Sequence, residues 1–186
     1  MGAVVGIETA LLLLLSVLVA GLLRSNAEIL RALHRMGVRL DEDPAPAGGR
    51  SGRPAPDVAG HTPAGDAAHV GVAGDRTLVA FLSGGCVSCQ PLWDGLRDGR
   101  PALPERARVV VVTRGPGAES PARLLRLAPG GVPVVMSDAA WDDYAVPGAP
   151  YVVWVDGGRV AGEGSVRDWD QLASLLDRAA ADAGVA

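Results

Sequence analysis

A strand, a glycine turn and two cysteines that begin a helix follow one another directly, and this order constrains the fold more than any other feature. Residues 77–82 form an apolar run of the kind found in strands that are covered on both faces. Ser83-Gly84-Gly85 predicts a turn, and residues 89–98 predict a helix with one apolar side. Cys86 and Cys89 therefore lie where a strand passes into a helix N-terminus.

This position favours thiol chemistry. The partial positive charge at a helix N-terminus stabilises a thiolate, and the thiolate is the nucleophile in disulfide exchange. The short offset between the two cysteines lets the second thiol attack a mixed disulfide that the first has formed. We therefore predict that Cys86 is the attacking thiol, because it comes first and is the more exposed, and that Cys89 is the resolving thiol.

The cysteine count leaves other interpretations open. The chain has 2 cysteines, which are too few for a disulfide-stapled scaffold, and a closed zinc site would need two further ligands. The pair could instead be half of a metal site, or two buried thiols without a chemical role. The order of strand, CxxC and helix favours the redox pair over both.

The rest of residues 57–186 predicts one α/β domain, because apolar runs alternate with helical stretches. Asp156-Gly157-Gly158 joins the last two strands as a hairpin. The predicted strands are 77–82, 107–113, 132–136, 151–155 and 159–162, and the predicted helices are 89–98, 119–127 and 168–181.

A second marked feature is the proline-rich approach to that hairpin, Val146-Pro147-Gly148-Ala149-Pro150-Tyr151. A proline cannot donate to a sheet ladder, so it belongs at the first residue of a strand or in a special turn. From these residues alone an ordinary trans proline is the simpler interpretation.

Three segments precede the domain. Residues 1–23 are nearly all apolar and long enough to span a bilayer, without the positive start or the cleavage site of a signal peptide, so we predict an uncleaved transmembrane anchor. Residues 24–40 carry one apolar stripe and predict a juxtamembrane helix. Residues 41–56 are rich in Pro and Gly and predict a linker.

The charge argues against nucleic-acid binding. The formal net charge is −4, whereas phosphate binding needs clustered positive charge. No glycine-rich phosphate loop is present, because the turn at Gly84-Gly85 lacks the longer glycine pattern and the lysine.

Together these motifs resemble the thioredoxin-like superfamily, in particular the membrane-anchored TlpA/ResA redoxins, and within them the MauD-type accessory proteins of methylamine dehydrogenase. The anchor, the juxtamembrane helix and the Pro/Gly tether share this resemblance. The further matching stretches are Ala55-Pro56-Asp57, residues 77–89, Met136-Ser137-Asp138, Tyr144-Ala145-Val146 and Ala149-Pro150 with its hairpin.

The resemblance implies a thioredoxin fold, with a mixed central sheet flanked by helices, that exchanges thiols and disulfides with client proteins. It implies no bound cofactor besides the Cys86–Cys89 disulfide, no metal site, and a membrane electron-transfer partner. It also implies a cis bond before Pro150, rather than before Pro147, packed against the disulfide. Gly85, Trp93, Ala149 and Pro150 would then line the client groove.

Several residues depart from the family pattern. Gly85 stands where thioredoxins carry an aromatic residue, and Ala149 stands where Thr or Val is frequent. Ala80 replaces a buried acid that can accept the proton of the resolving thiol, so we expect Cys89 to have an unassisted, high pKa. Val87-Ser88 differs from the Gly-Pro of general reductants, so their potential does not transfer to this pair.

The membrane topology is predicted differently by two criteria. Four arginines follow the anchor and none precedes it, and positive charge near an anchor usually stays in the cytoplasm. The resemblance and the persistence of disulfides outside the cytoplasm favour the other side. We expect a single-pass protein of the cell membrane with an extracytoplasmic domain.

Two other functions are compatible with the sequence. His61 and His69 could join the cysteines in a copper-handling or assembly-scaffold protein, although both histidines lie in a glycine-rich stretch that predicts an exposed loop. A redoxin peroxidase fits less well, because its reactive cysteine lies in a Pro/Thr-rich loop and needs a nearby Arg.

Overall fold

The computed structural model of the protein describes Leu15 and residues 52–74, 76–99, 103–104 and 107–183, with only the backbone for 182 and 183. These residues form one mixed sheet of seven strands in the order β2-β1-β5-β4-β3-β6-β7. The strands are β1 Val58–His61, β2 Ala67–Val70, β3 Thr77–Phe81, β4 Arg108–Thr113, β5 Val134–Met136, β6 Tyr151–Asp156 and β7 Arg159–Gly164. The helices are α1 Gln90–Arg97, α2 Pro121–Leu127, α3 Asp138–Asp143 and α4 Trp169–Ala183, and a 3₁₀ turn, Val87–Cys89, precedes α1.

β3 lies inside the sheet, and its side chains contribute to two hydrophobic clusters. It pairs in parallel with β4 and antiparallel with β6. Leu78 and Ala80 pack with residues of α1 and α4, whereas Val79 and Phe81 pack with residues of α3. Because successive side chains of a strand point to opposite faces, one apolar run fills both layers. The predicted mixed sheet flanked by helices is confirmed.

Serines set the starts of two helices. Ser120 Oγ accepts a hydrogen bond from the backbone N–H of Arg123 at 3.4 Å, so α2 begins at Pro121 rather than at the predicted residue 119. Ser137 Oγ accepts from Ala140 N at 3.1 Å and caps α3. The sequence analysis missed α3, because its six residues are too few to show a helical period.

The first two strands correct a second expectation. The stretch that contains both histidines is not a loop, since β1 and β2 form an antiparallel hairpin with His69 opposite Ala59. These short strands have no apolar alternation, and their pairing depends on tertiary contacts. β1 pairs with β5 through His61 and Met136, and a side chain at Gly60 would collide with the Met136 carbonyl oxygen.

The described end of the predicted linker belongs to the folded domain. Gly52 N donates to Val160 O at 2.7 Å, and Ala55 N donates to Gly158 O at 2.9 Å. Arg53 forms an ion pair of 3.0 Å with Glu163, a residue of β7. These residues of the predicted linker therefore pack with the domain, because they extend the sheet edge at β7.

The predicted membrane segments lie outside the described residues. The predicted anchor at 1–23, apart from Leu15, the juxtamembrane helix at 24–40 and most of the linker are not among the described residues. Within the part of the chain that is described, no helix has the length and apolar character needed to cross a bilayer.

Candidate active site

Cys86 and Cys89 lie at the carboxyl end of β3, where the chain turns into α1. Cys86 has an extended backbone and directly precedes the 3₁₀ turn that carries Cys89. Two hydrogen bonds to Ser83 hold the turn before them. Gly85 N donates to Ser83 Oγ at 3.2 Å, and the Trp93 indole N–H donates to Ser83 O at 3.2 Å.

Trp93 therefore has a different role from the one expected. It is fully buried in the core beneath the turn, with no exposed surface, so it supports the turn and does not line a client groove. Gly85 is exposed next to Cys86, and Val87, the residue after it, has 88% of its surface exposed.

The two thiols differ in access to solvent and in acidity. Cys86 is partly exposed, whereas Cys89 is fully buried. Burial tends to raise the pKa of Cys86, but hydrogen bonds from Cys89 and Ser88 outweigh it, and the pKa lies below its ordinary value. Burial, followed by the hydrogen bond with Cys86, raises the pKa of Cys89 to about 12.

The loop at residues 146–150, called the proline loop below, lies next to Cys86. The Ala149–Pro150 peptide bond is cis, and no other cis peptide bond occurs among the described residues. The Cys86 thiol lies 3.8 Å from Ala149 O, while its Sγ is 3.6 Å from Ser88 Oγ. Pro150 is buried and Ala149 is half-buried, and the contact of this loop with the thiol is made by the Ala149 carbonyl group.

An open groove lies between Ser88 of the CxxC turn and this loop. Its volume is about 370 Å³, and it has both polar and apolar walls. Its lining comes from the CxxC turn, from the proline loop and from the segment after β7: Ser88, Pro147, Gly148, Ala149, Pro150, Ser165 and Arg167.

A carboxylate that the sequence analysis did not single out also reaches the site. Glu119 Oε2 accepts a hydrogen bond from Gly84 N at 3.1 Å. Glu119 follows β4, the parallel neighbour of β3, and the carboxyl ends of parallel strands meet at one edge of a sheet. The adjacency of the ends of β3 and β4 could have indicated Glu119 from the sequence.

The structure does not bring the histidines to the cysteines. His61 and His69 are both exposed, and β5 and β4 separate their hairpin from β3. Three strand spacings amount to roughly 14 Å. His69 lies 3.6 Å from Asp57. Among the described residues, no group of three or more His, Cys, Asp or Glu side chains is arranged to hold a metal ion.

The sequence matches no family model, and no curated protein matches it either. Its fold does match solved structures. A protein of Chlorobium tepidum assigned as the thiol:disulfide interchange protein DsbE is 21% identical, with a TM-score of 0.53 over 69% of this chain and 96% of the other. The chain has a thioredoxin-like fold.

Two further structures show the same fold. A thiol:disulfide interchange protein from Bacteroides sp. is 17% identical, with a TM-score of 0.52 over 68% of this chain and 90% of the other. A thioredoxin-like protein from Aeropyrum pernix is 16% identical, with a TM-score of 0.51 over 83% of this chain and 98% of the other.

Proposed function

We propose that the protein is a thiol–disulfide oxidoreductase that acts on protein clients through Cys86 and Cys89. The asymmetry of the pair carries the proposal, because a partly exposed thiol of lowered pKa contacts a fully buried thiol of raised pKa. The partly exposed thiol of lowered pKa suits attack on a client, and the buried thiol, which contacts it, is placed to attack the sulfur of Cys86. The Cys86–Cys89 pair carries two electrons as the dithiol and gives them up as it closes to the disulfide, and no bound cofactor is required.

In the reducing direction, the Cys86 thiolate attacks one sulfur of a client disulfide. A Cys86–client bond forms, the client S–S bond breaks, and the second client sulfur leaves as a thiolate that takes a proton from water. Cys89 then loses its proton and attacks the Cys86 sulfur. The client is released with both sulfurs reduced, and the protein holds the Cys86–Cys89 disulfide. The oxidising direction is the reverse of these steps.

The groove beside the pair supports a protein client. The exposed backbone at Gly85 and the backbone of Ala149 flank the Cys86 thiol. An extended peptide lying between them would place its cysteine against the thiol, and Pro150 would close the wall behind it. We propose that Gly85, Ala149 and Pro150 form the client surface.

The proposal is tested by the reduction potential of the full-length protein in detergent, equilibrated against glutathione and dithiothreitol. A potential of about −270 mV, as in thioredoxin, would identify a reductant that needs an electron supply. A potential of about −120 mV would identify an oxidant. The Cys86→Ser and Cys89→Ser variants serve as controls that cannot close the disulfide. If the wild-type pair never forms a disulfide, the proposal is wrong.

We also propose that residues 1–23 anchor the protein, that the domain faces the extracytoplasmic side and that a membrane protein exchanges electrons with it. The same sequence features support kinship with the MauD-type members of the TlpA/ResA redoxins. Labelling of Cys86 in intact cells by a maleimide that cannot cross membranes tests the topology. If Cys86 is labelled only after lysis, the domain is cytoplasmic.

A further inference from the structure

The resolving step requires a group that accepts the proton of the buried Cys89 thiol. Cys89 attacks as a thiolate, yet it is fully buried and its pKa is raised to about 12, first by burial and then by its hydrogen bond with Cys86. When Cys86 is held in the mixed disulfide, its hydrogen bond and its charge no longer act on Cys89, but burial still raises the Cys89 pKa above the ordinary value and keeps the thiolate fraction small. The strand residue beneath the turn is Ala80, which cannot take the proton. A proton acceptor must come from another element.

Glu119 is placed to be that acceptor. Its carboxylate is bonded to the N–H of Gly84 at 3.1 Å, and the backbone of the preceding residue, Ser83, is hydrogen-bonded to the Cys89 thiol. The carboxylate and the thiol are thus held by consecutive residues of one turn. A side-chain carbon at Gly84 would lie 3.3 Å from Glu119 Oε2, which shows how closely the carboxylate covers the turn.

The charged groups that act on Cys89 are few. Within the described part of the chain, the Cys86 thiolate and the Glu119 carboxylate both raise the pKa of Cys89 by their negative charge. Glu119 is half-buried and lies on the loop between β4 and α2, so it reaches the turn from a separate element.

Building on the proposed function, we propose that Glu119 is the proton acceptor of the resolving step. As Cys89 Sγ forms its bond to Cys86 Sγ, the Cys89 proton passes to Glu119 through an intervening water. The Cys86–client S–S bond breaks, and the client sulfur leaves as a thiolate. In the oxidising direction, Glu119 returns the proton to Cys89 when a thiolate opens the disulfide.

The charge of Glu119 and its basicity have opposite effects on this step. If Glu119 acted by charge alone, its removal would lower the pKa of Cys89, increase the thiolate fraction and accelerate resolution. If it accepts the proton, its removal slows resolution. The sign of the change in rate therefore separates the proposed role from a bystander carboxylate.

The test uses Ellman's reagent on the reduced full-length protein in detergent. Cys86 releases a first nitrothiolate as it forms the mixed disulfide, and attack by Cys89 releases a second, whose rate is the resolving rate. We expect E119Q to lower this second rate by about 10²-fold near neutral pH, the lower range for acid–base assistance. Its rate should then rise about tenfold per pH unit, as the free thiolate fraction does, whereas the wild-type profile stays shallow.

Asp138→Asn is the matched control. Asp138 Oδ1 likewise accepts a loop N–H, from Gly115 at 3.2 Å, but Asp138 is not among the charges that act on Cys89. It should resolve at the wild-type rate. Gln at position 119 can still accept the Gly84 N–H, so the melting temperature should change little.

An unchanged or faster second phase in E119Q overturns the proposal for Glu119 and leaves the oxidoreductase proposal intact. If the wild type shows no second phase, the oxidoreductase proposal itself fails. If E119Q does not fold, E119D, which keeps the carboxylate, carries the test. A shallow profile at a reduced rate in E119D supports the role, and a tenfold rise per pH unit contradicts it.

Discussion

The acidity of Cys89 gives the sharpest prediction of the structure. In a Cys86→Ala variant only one thiol remains to titrate, and the coupling between the two thiols is removed. Burial, the largest cause of the raised pKa, is retained, as is the negative charge of Glu119. We therefore expect the Cys89 pKa in this variant to stay well above the ordinary value of 9.0.

The magnitude follows from the values of the intact pair. A rise from 9.0 to about 12 is three pH units, so the thiolate fraction at neutral pH is about 10³-fold smaller than for an unperturbed cysteine. In the Cys86→Ala variant the hydrogen bond and the charge of Cys86 are lost, so the thiolate fraction of Cys89 is lowered by a smaller factor. Its sign is unchanged, because desolvation penalises the charged form.

The assay is the ultraviolet absorbance of the thiolate followed as a function of pH, which reports ionisation without requiring a reagent to reach a buried sulfur. The Cys89→Ala variant, which retains only Cys86, is measured in parallel. Its thiol should ionise at lower pH than Cys89 does, although the hydrogen bonds from Cys89 that lower the Cys86 pKa are lost. If Cys89 titrates at or below pH 9.0, the burial argument is wrong.

Three further predictions concern stability. Because the pKa of Cys89 is raised in the folded state, Cys89 contributes to the free energy of unfolding in full below about pH 9, and this contribution is lost as the pH rises toward about 12. The loss should amount to at most about 4 kcal/mol in urea unfolding of the reduced protein. Arg53→Ala leaves the nearly buried Glu163 without its 3.0 Å ion pair and should cost roughly 1–3 kcal/mol in the same assay. Gly95→Ala should destabilise by about 1–3 kcal/mol and alter Trp169 fluorescence, because the added carbon overlaps the Trp169 indole.

Each of these has its own comparison. The Cys86→Ala variant against the double Ala variant isolates Cys89 from Tyr144, whose pKa burial also raises to about 12. Arg76→Ala breaks an exposed 3.3 Å ion pair and should change stability by less than about 1 kcal/mol, so an equal loss at Arg53 contradicts the burial argument. Gly117 has no atom within 4 Å of an added carbon, and its Ala variant should melt as the wild type does.

The local part of the site could be predicted from the sequence. The apolar run of β3, the glycine turn and the cysteine spacing are contiguous, and the physics that shapes them acts over neighbouring residues. The same holds for β4 and for the hairpin of β6 and β7, whose apolar runs and glycine turn are strong enough to be recognised alone. The resemblance to thioredoxins added the special place of Pro150, which its own residues left open.

Contacts between distant segments could not be predicted. The hairpin of β1 and β2 has little apolar pattern and is held by its pairing with β5. Trp93 could have faced a groove or the core, and only the packing of α1 against the sheet decided for the core.

The sequence by itself determined the chemical group of the site, because two thiols at the start of a helix after a buried strand are written in adjacent residues. Tertiary structure alone decided which thiol is buried, how far their acidities differ and which carboxylate lies beside them. Glu119 is 30 residues beyond Cys89 in the chain, and the parallel pairing of β3 with β4 brings their loops together. Burial and charge act through space, so these properties appear only once the strands are in register.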